Sequence, residues 1–187
     1  MKKAVFLDRD GVLTKMIYNE ITCEFEPPHC IENLEILEGV YESLKQLNEN
    51  DFILFLVSNQ PDYAKGKTSI ENLYEVGIEF RNRIINNGIQ IKEYYYCYHH
   101  PDGKVKEYSF ICNCRKPSTF FVEKAIAEFG IVREKSWFIG DRESDIQCGK
   151  TAKLNTVYIS KDNLNSFGAD YSAKNIVESV KIILKKN

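Results

Sequence analysis

The 187-residue chain has no long apolar run. Its longest uninterrupted stretch is residues 52–57, far short of the roughly 20 residues a membrane-spanning helix needs. It also lacks an excess of charge of either sign. The 25 lysines and arginines against 27 aspartates and glutamates leave a net charge of -2, and no basic stripe with interleaved aromatics is present, so nothing predicts a nucleic-acid partner. Met1-Lys2-Lys3 runs straight into a short apolar segment, without the longer apolar region and small-residue cleavage site of a secretory leader. A cytoplasmic protein without a membrane partner is therefore expected. There are no internal repeats and no low-complexity linker. What is present is an ordinary globular composition, 43% apolar and 28% charged. A chain of this length can bury roughly 70% of its unfolded surface, so a single domain over 1–187 is expected; a monomer is the expected state.

Apolar periodicity outlines that domain. Ala4-Val5-Phe6-Leu7 is a continuous apolar run ending in charge, the pattern of a central parallel strand covered on both faces. Val40, Leu44 and Leu47 have helical spacing, and the apolar run over 52–57 reads as a second buried strand. The alternation continues with a helix over 70–86, a strand over 94–96, a helix over 119–129 and a strand over 137–139. A further helix and strand precede a C-terminal helix over 173–184. Strands separated by helices predict an α/β fold with a doubly wound parallel sheet. Two segments break the rhythm: a flap over about 14–36, and a loop over about 97–115 rich in ligand-type residues.

The chemically notable residues fall just after predicted strands, where open α/β sheets bind their ligands. Asp8 and Asp10 follow the first strand, Ser58-Asn59-Gln60 the second, and Gly140-Asp141 a later one. Two adjacent carboxylates repel unless a cation or a proton relieves them, and the oxygen donors of Asp8 and Asp141 suit Mg²⁺. Asp8 could then attack phosphorus while Asp10 handles protons. Ser58 and Asn59 could donate to a phosphoryl group, Lys116 could offset its charge, and Asp145 could support the arrangement from the following helix. The competing reading makes each an ordinary strand end, turn residue, surface lysine or acidic helix start.

Six cysteines without a secretion signal are better explained as metal ligands or buried thiols than as disulfides. Cys97, His99, Cys112 and Cys114 form a closed set of three thiolates and one imidazole, the donor set of structural zinc. The intervening loop, with Pro101, Asp102 and Gly103, could not build its own core, so such a staple has a purpose. Cys23, His29 and Cys30 lack an obvious fourth ligand, and Cys148 is read as a small core residue.

Taken in order, Asp8-Arg9-Asp10-Gly11, Ser58-Asn59-Gln60, Arg115-Lys116-Pro117 and Gly140-Asp141 with Asp145 resemble the haloacid dehalogenase superfamily of phosphatases over most of the chain. The Cys97-Tyr98-His99-His100-Pro101 and Cys112-Asn113-Cys114 segments narrow the resemblance to the bacterial D-glycero-D-manno-heptose 1,7-bisphosphate 7-phosphatases and the related histidinol-phosphate phosphatases. The resemblance implies a Rossmann-like haloacid dehalogenase fold without a large cap domain. It makes Asp8 the nucleophile, Asp10 the general acid/base, and Ser58 and Lys116 the phosphate binders. Asn59 and Arg115 position substrate, and Asp8, Asp141 and the backbone carbonyl of Asp10 hold catalytic Mg²⁺, with Asp145 in support. The zinc is structural, and the implied partner is a small sugar phosphate, foremost the heptose 7-phosphate. The alternatives are histidinol phosphate, or a non-catalytic zinc-stabilised binding module on the same fold. The chain departs from the family at Pro61-Asp62, where Ser-Gly is common, and at Arg142, where many members carry lysine.

Overall fold

The computed structural model describes residues 2–160 and 166–186. In chain order its elements are β1 (Lys3–Leu7), a hairpin of β2 (Ile17–Asn19) and β3 (Glu24–Glu26), α1 (Val40–Glu49), β4 (Phe52–Asn59), α2 (Ile70–Asn86) and β5 (Ile91–Cys97). These are followed by α3 (Phe120–Phe129), β6 (Trp137–Gly140), α4 (Glu143–Thr151), β7 (Asn155–Ile159), β8 (Tyr171–Ala173) and α5 (Ile176–Lys186). Six strands form one parallel sheet in the order β5-β4-β1-β6-β7-β8. Counting only those six, the spatial order is 3-2-1-4-5-6, the doubly wound arrangement whose direction reverses between β1 and β6. That reversal opens a crevice at the carboxyl ends of these two strands, and Asp8 and Asp141 each stand one residue beyond them.

The apolar runs fill both faces because successive strand side chains alternate. Val5 and Leu7 of β1 pack with Leu54 and Leu56 of β4 beneath Val40, Leu44, Phe80 and Val180 of α1, α2 and α5. Ala4 and Phe6, with Phe55 and Val57, join Val122, Ala125 and Cys148 of α3 and α4 on the other face. Cys148 is thus a core residue, as its isolation in the sequence implied. The Phe6 and Phe55 rings stack 5.0 Å apart between centroids, in the range of favourable aromatic contacts. The start of α2 has a clear local cause: Ser69 Oγ accepts a hydrogen bond from the Asn72 amide at 3.1 Å, satisfying one of the donors a helix leaves free at its first turn.

Two details differ from the sequence reading. The expected C-terminal helix over 173–184 begins later, at Ile176, because Ala173 belongs to β8, a three-residue edge strand too short to leave an apolar signature. The flap has regular structure: β2 and β3 pair antiparallel, Ile17 opposite Glu26 and Tyr18 opposite Phe25. Tyr18 and Phe25 remain exposed, so no buried face imposed a recognisable alternation. Among the described residues no helix is long and apolar enough to cross a membrane.

Candidate active site

Three carboxylates and a lysine meet at the crevice. One oxygen from each of Asp8, Asp141 and Asp145 lies within 4.8 Å of the others. Lys116 Nζ sits 2.8 Å from Asp8 Oδ1 and 2.7 Å from Asp145 Oδ1, and donates to the Val57 carbonyl at 2.6 Å. Those three contacts use all three ammonium donors. Lys116 is buried, and although burial opposes its charge, Asp145 and Asp8 outweigh that and raise its pKa. Asp145 does double duty: its other oxygen, Oδ2, accepts from the Arg142 amide at 3.0 Å, capping α4.

Asp141 Oδ1 is buried and has neither a hydrogen-bond nor an ion-pair partner among the described residues. Burial first, then the charges of Asp8 and Asp145, push the Asp141 carboxyl up to about 8, and burial lifts Asp145 to about 6 against the pull of Lys116. An orphaned oxygen within a cluster of hard oxygen donors fits a small divalent cation. Gly11 keeps the space open: its φ is +86°, and a Cβ there would lie 2.1 Å from Asp141 Oδ2.

Asp10 points into a different set of partners. Its Oδ1 accepts from Arg9 Nε at 2.9 Å and Thr14 Oγ1 at 2.8 Å, and its Oδ2 from Arg9 Nη2 at 3.2 Å and Gln60 Nε2 at 2.5 Å. Burial disfavours the Asp10 charge, yet Arg9 and these donors together hold its pKa below the usual carboxylate value. Arg9, only 1% exposed, also donates to Gln60 Oε1 at 2.7 Å. This clamp of Arg9, Thr14 and Gln60 was absent from the sequence reading. The available clue was an arginine between two aspartates at the end of a buried strand, where a charge survives only with partners.

The other expected residues are placed as follows. Ser58 is at the same end of the sheet, but it is buried and its Oγ accepts from Gln60 Nε2 at 2.9 Å. Asn59 spends its amide on the backbone of Lys116, accepting from its N–H at 3.0 Å and donating to its carbonyl at 3.1 Å. Asn59 therefore sets the position of Lys116. Arg115 faces the cleft and donates to the His99 carbonyl at 3.4 Å. The cleft, about 200 Å³, is walled by Asp8, Asp10, Asn59 and Lys116 on one side and by flap residues Glu24, Phe25 and Glu26 on another, with Lys65, Arg115 and Arg142 adding positive charge.

Cys97, at the end of β5, converges with His99, Cys112 and Cys114. The three Sγ–Sγ separations are 3.3, 3.3 and 3.5 Å, and His99 Nδ1 lies 3.4 Å from Cys114 Sγ and 3.8 Å from Cys97 Sγ. Metal–sulfur bonds of about 2.3 Å in a tetrahedron require edges of about 3.8 Å, so the cluster has the dimensions of a closed four-ligand site. Among the described residues, Cys23 and Cys30 join no such group, and His29 Nε2 instead contacts Asp62 Oδ2 at 2.7 Å.

A doubly wound sheet whose switch point holds an aspartate cluster and a buried lysine is the architecture of a HAD-like hydrolase, and a family model described as HAD-hydrolase-like matches residues 113–181. The D-glycero-β-D-manno-heptose-1,7-bisphosphate 7-phosphatase of Pasteurella multocida is 33% identical over 181 residues, covering 96% of this chain and 94% of that protein. The D-glycero-α-D-manno-heptose-1,7-bisphosphate 7-phosphatase of Photorhabdus laumondii is also 33% identical, over 160 residues and 85% and 82% of the two chains. The chain belongs to the family of the heptose-1,7-bisphosphate 7-phosphatases. The crystal structure of the D,D-heptose 1,7-bisphosphate phosphatase from B. bronchiseptica, complexed with magnesium and phosphate, has the same fold, with a TM-score of 0.77 over 99% of both chains at 17% identity.

Proposed function

We propose that this chain hydrolyses the 7-phosphate of a D-glycero-D-manno-heptose 1,7-bisphosphate through a phosphoryl group carried on Asp8. The observation that carries the reading is the juxtaposition of Asp8, Asp141, Asp145 and Lys116 at the sheet's switch point, in a chain similar over nearly its whole length to enzymes of that name. Asp8, Asp141 and the Asp10 carbonyl would hold Mg²⁺, which supplies charge neutralisation for the phosphate oxygens. An Asp8 oxygen attacks phosphorus, the bond from phosphorus to the sugar oxygen breaks, and Asp10 gives its proton to the departing oxygen. Asp10 then takes a proton from water as that water attacks phosphorus, and the bond to Asp8 breaks to release phosphate. The contact with Arg9 keeps Asp10 ionised, so protonation for the first step requires the carboxyl to leave Arg9 and face the cleft. Lys116 holds Asp8 in line, Asn59 holds Lys116, and Arg115 faces the remainder of the substrate. Zinc on Cys97, His99, Cys112 and Cys114 would be structural, since four protein donors leave no open position.

Two measurements follow. With purified protein and Mg²⁺, phosphate release from both anomers of the heptose bisphosphate should exceed release from histidinol phosphate by about 100-fold in kcat/KM, since a site built for one set of polar groups rejects a substrate lacking them. Preference for histidinol phosphate would overturn the substrate assignment. The second concerns pH. Because the Asp141 and Asp145 pKa values are raised to about 8 and about 6, the cation-free fold retains protons that the unfolded chain has lost, and ionising them as pH rises costs stability. Mg²⁺ must displace the proton on Asp141 below pH 8. The Mg²⁺-induced rise in Tm should therefore be larger at pH 8 than at pH 6, and equal shifts would contradict the proposed ligands.

A further inference from the structure

The β2–β3 end of the flap is tied to one short segment, 61–67, by the side chains of Glu24, Glu26 and His29, while its far end is held separately by Arg83 Nη1, which donates to the Leu34 carbonyl at 2.6 Å. His29 Nε2 lies 2.7 Å from Asp62 Oδ2, and Asp62 is only 4% exposed. Glu26, likewise buried, pairs with Lys67, which also reaches Glu24 at 3.5 Å. The far side of the same segment is tied to the cysteine-rich loop. The Ala64 carbonyl accepts from the Lys104 and Val105 amides at 2.6 and 3.0 Å, and the Tyr63 and Tyr108 rings meet edge to face at 4.9 Å. Segment 61–67 is thus a keystone between flap and loop, folded on itself by the bonds from Lys65 N to the Pro61 carbonyl and from Lys67 N to the Asp62 carbonyl.

We propose that the His29–Asp62 pair is a latch that sets substrate selectivity: it holds Phe25 of the flap over the cleft opposite Lys65, so that these two form the wall facing the part of the ester beyond the scissile phosphate. Phe25 is 66% exposed yet lines the cleft; an apolar ring among charged residues suits the C–H face of a sugar, while Lys65, with no carboxylate partner among the described residues, suits an anionic group. The pairs with Asp62 and Lys67 also matter by subtraction, because they occupy a carboxylate that would repel a phosphate and a lysine that would bind one indiscriminately. His29 is a positioning residue. It acts through the flap and contacts neither Asp8 nor Lys116.

This inference rests on the phosphatase reading, and its test separates the two. His29→Ala and His29→Gln are compared with the unaltered protein on the heptose bisphosphate and on p-nitrophenyl phosphate, a small ester that does not extend to the flap, alongside amide hydrogen exchange of residues 17–29. Loss of one hydrogen bond to a buried charge should raise KM for the bisphosphate about tenfold. It should speed flap exchange by a similar factor, leave kcat on p-nitrophenyl phosphate within about twofold, and be largely reversed in the glutamine variant, whose amide N–H can still donate to Asp62. Unchanged flap exchange would overturn the latch, and faster exchange with an unchanged ratio of the two KM values would overturn its role in selectivity. Failure of the unaltered protein on both heptose anomers would sink the substrate assignment alone, since flap exchange and the KM of the best ester found would still decide the latch.

Discussion

Asp8→Asn is expected to lower kcat by about 10⁴ to 10⁶-fold, the scale of losing an enzymatic nucleophile, while the protein stays folded. The amide is nearly isosteric with the carboxylate but cannot form the phosphoryl intermediate. Its effect on stability should be small and of either sign. It relieves the repulsion that Asp8 exerts on Asp141 and Asp145 and removes one of the two carboxylates beside Lys116, whose charge remains paired with Asp145. Steady-state phosphate release together with a thermal melt checks both halves. Residual turnover above about 1% would mean that another group attacks phosphorus.

Cys112→Ser should act on the other centre, through stability first. Five of the six separations among the four ligand atoms are 3.3 to 3.8 Å, and burial pushes the Cys97 thiol up, so in the absence of a cation the cluster is a set of crowded thiols with little reason to stay together. A structural zinc contributes its binding free energy to folding. Losing one thiolate should therefore lower metal content well below one per chain and cost about 3 kcal/mol or more. The consequence reaches the carboxylate cluster because Arg115 and Lys116 directly follow Cys114 and Arg115 is tied to the His99 carbonyl. Activity should fall along with amide protection of residues 97–115. A variant that keeps one zinc per chain and an unchanged melt would refute the ligand set.

The fold was largely legible because a sheet covered on both faces leaves continuous apolar runs, with the helices falling between them. β8 escaped because three residues at an edge carry no such run, and the flap hairpin because its aromatic residues face solvent. Within the crevice, the position of Asp8, Ser58 and Asp141 just after predicted strands was readable, whereas Lys116 lies in the long loop after β5 and was marked by the Arg-Lys-Pro resemblance. Their neighbours were harder to infer. Asn59 binds the backbone of a residue 57 positions away, and Arg9 meets Gln60 at a separation of 51. Pairings of that kind depend on how strands register in the sheet, which local sequence does not encode. Asp62, a departure from the family pattern, likewise meets its partner His29 across a separation of 33.

Acid-quenched digestion during turnover of the heptose bisphosphate is the most direct test of the central claim. A phosphoryl group, reducible by borohydride, should be localised by fragmentation to Asp8 and be absent from Asp8→Asn. Steady release of phosphate with Asp8 unmodified at every time point, or the group found on another residue, would contradict it.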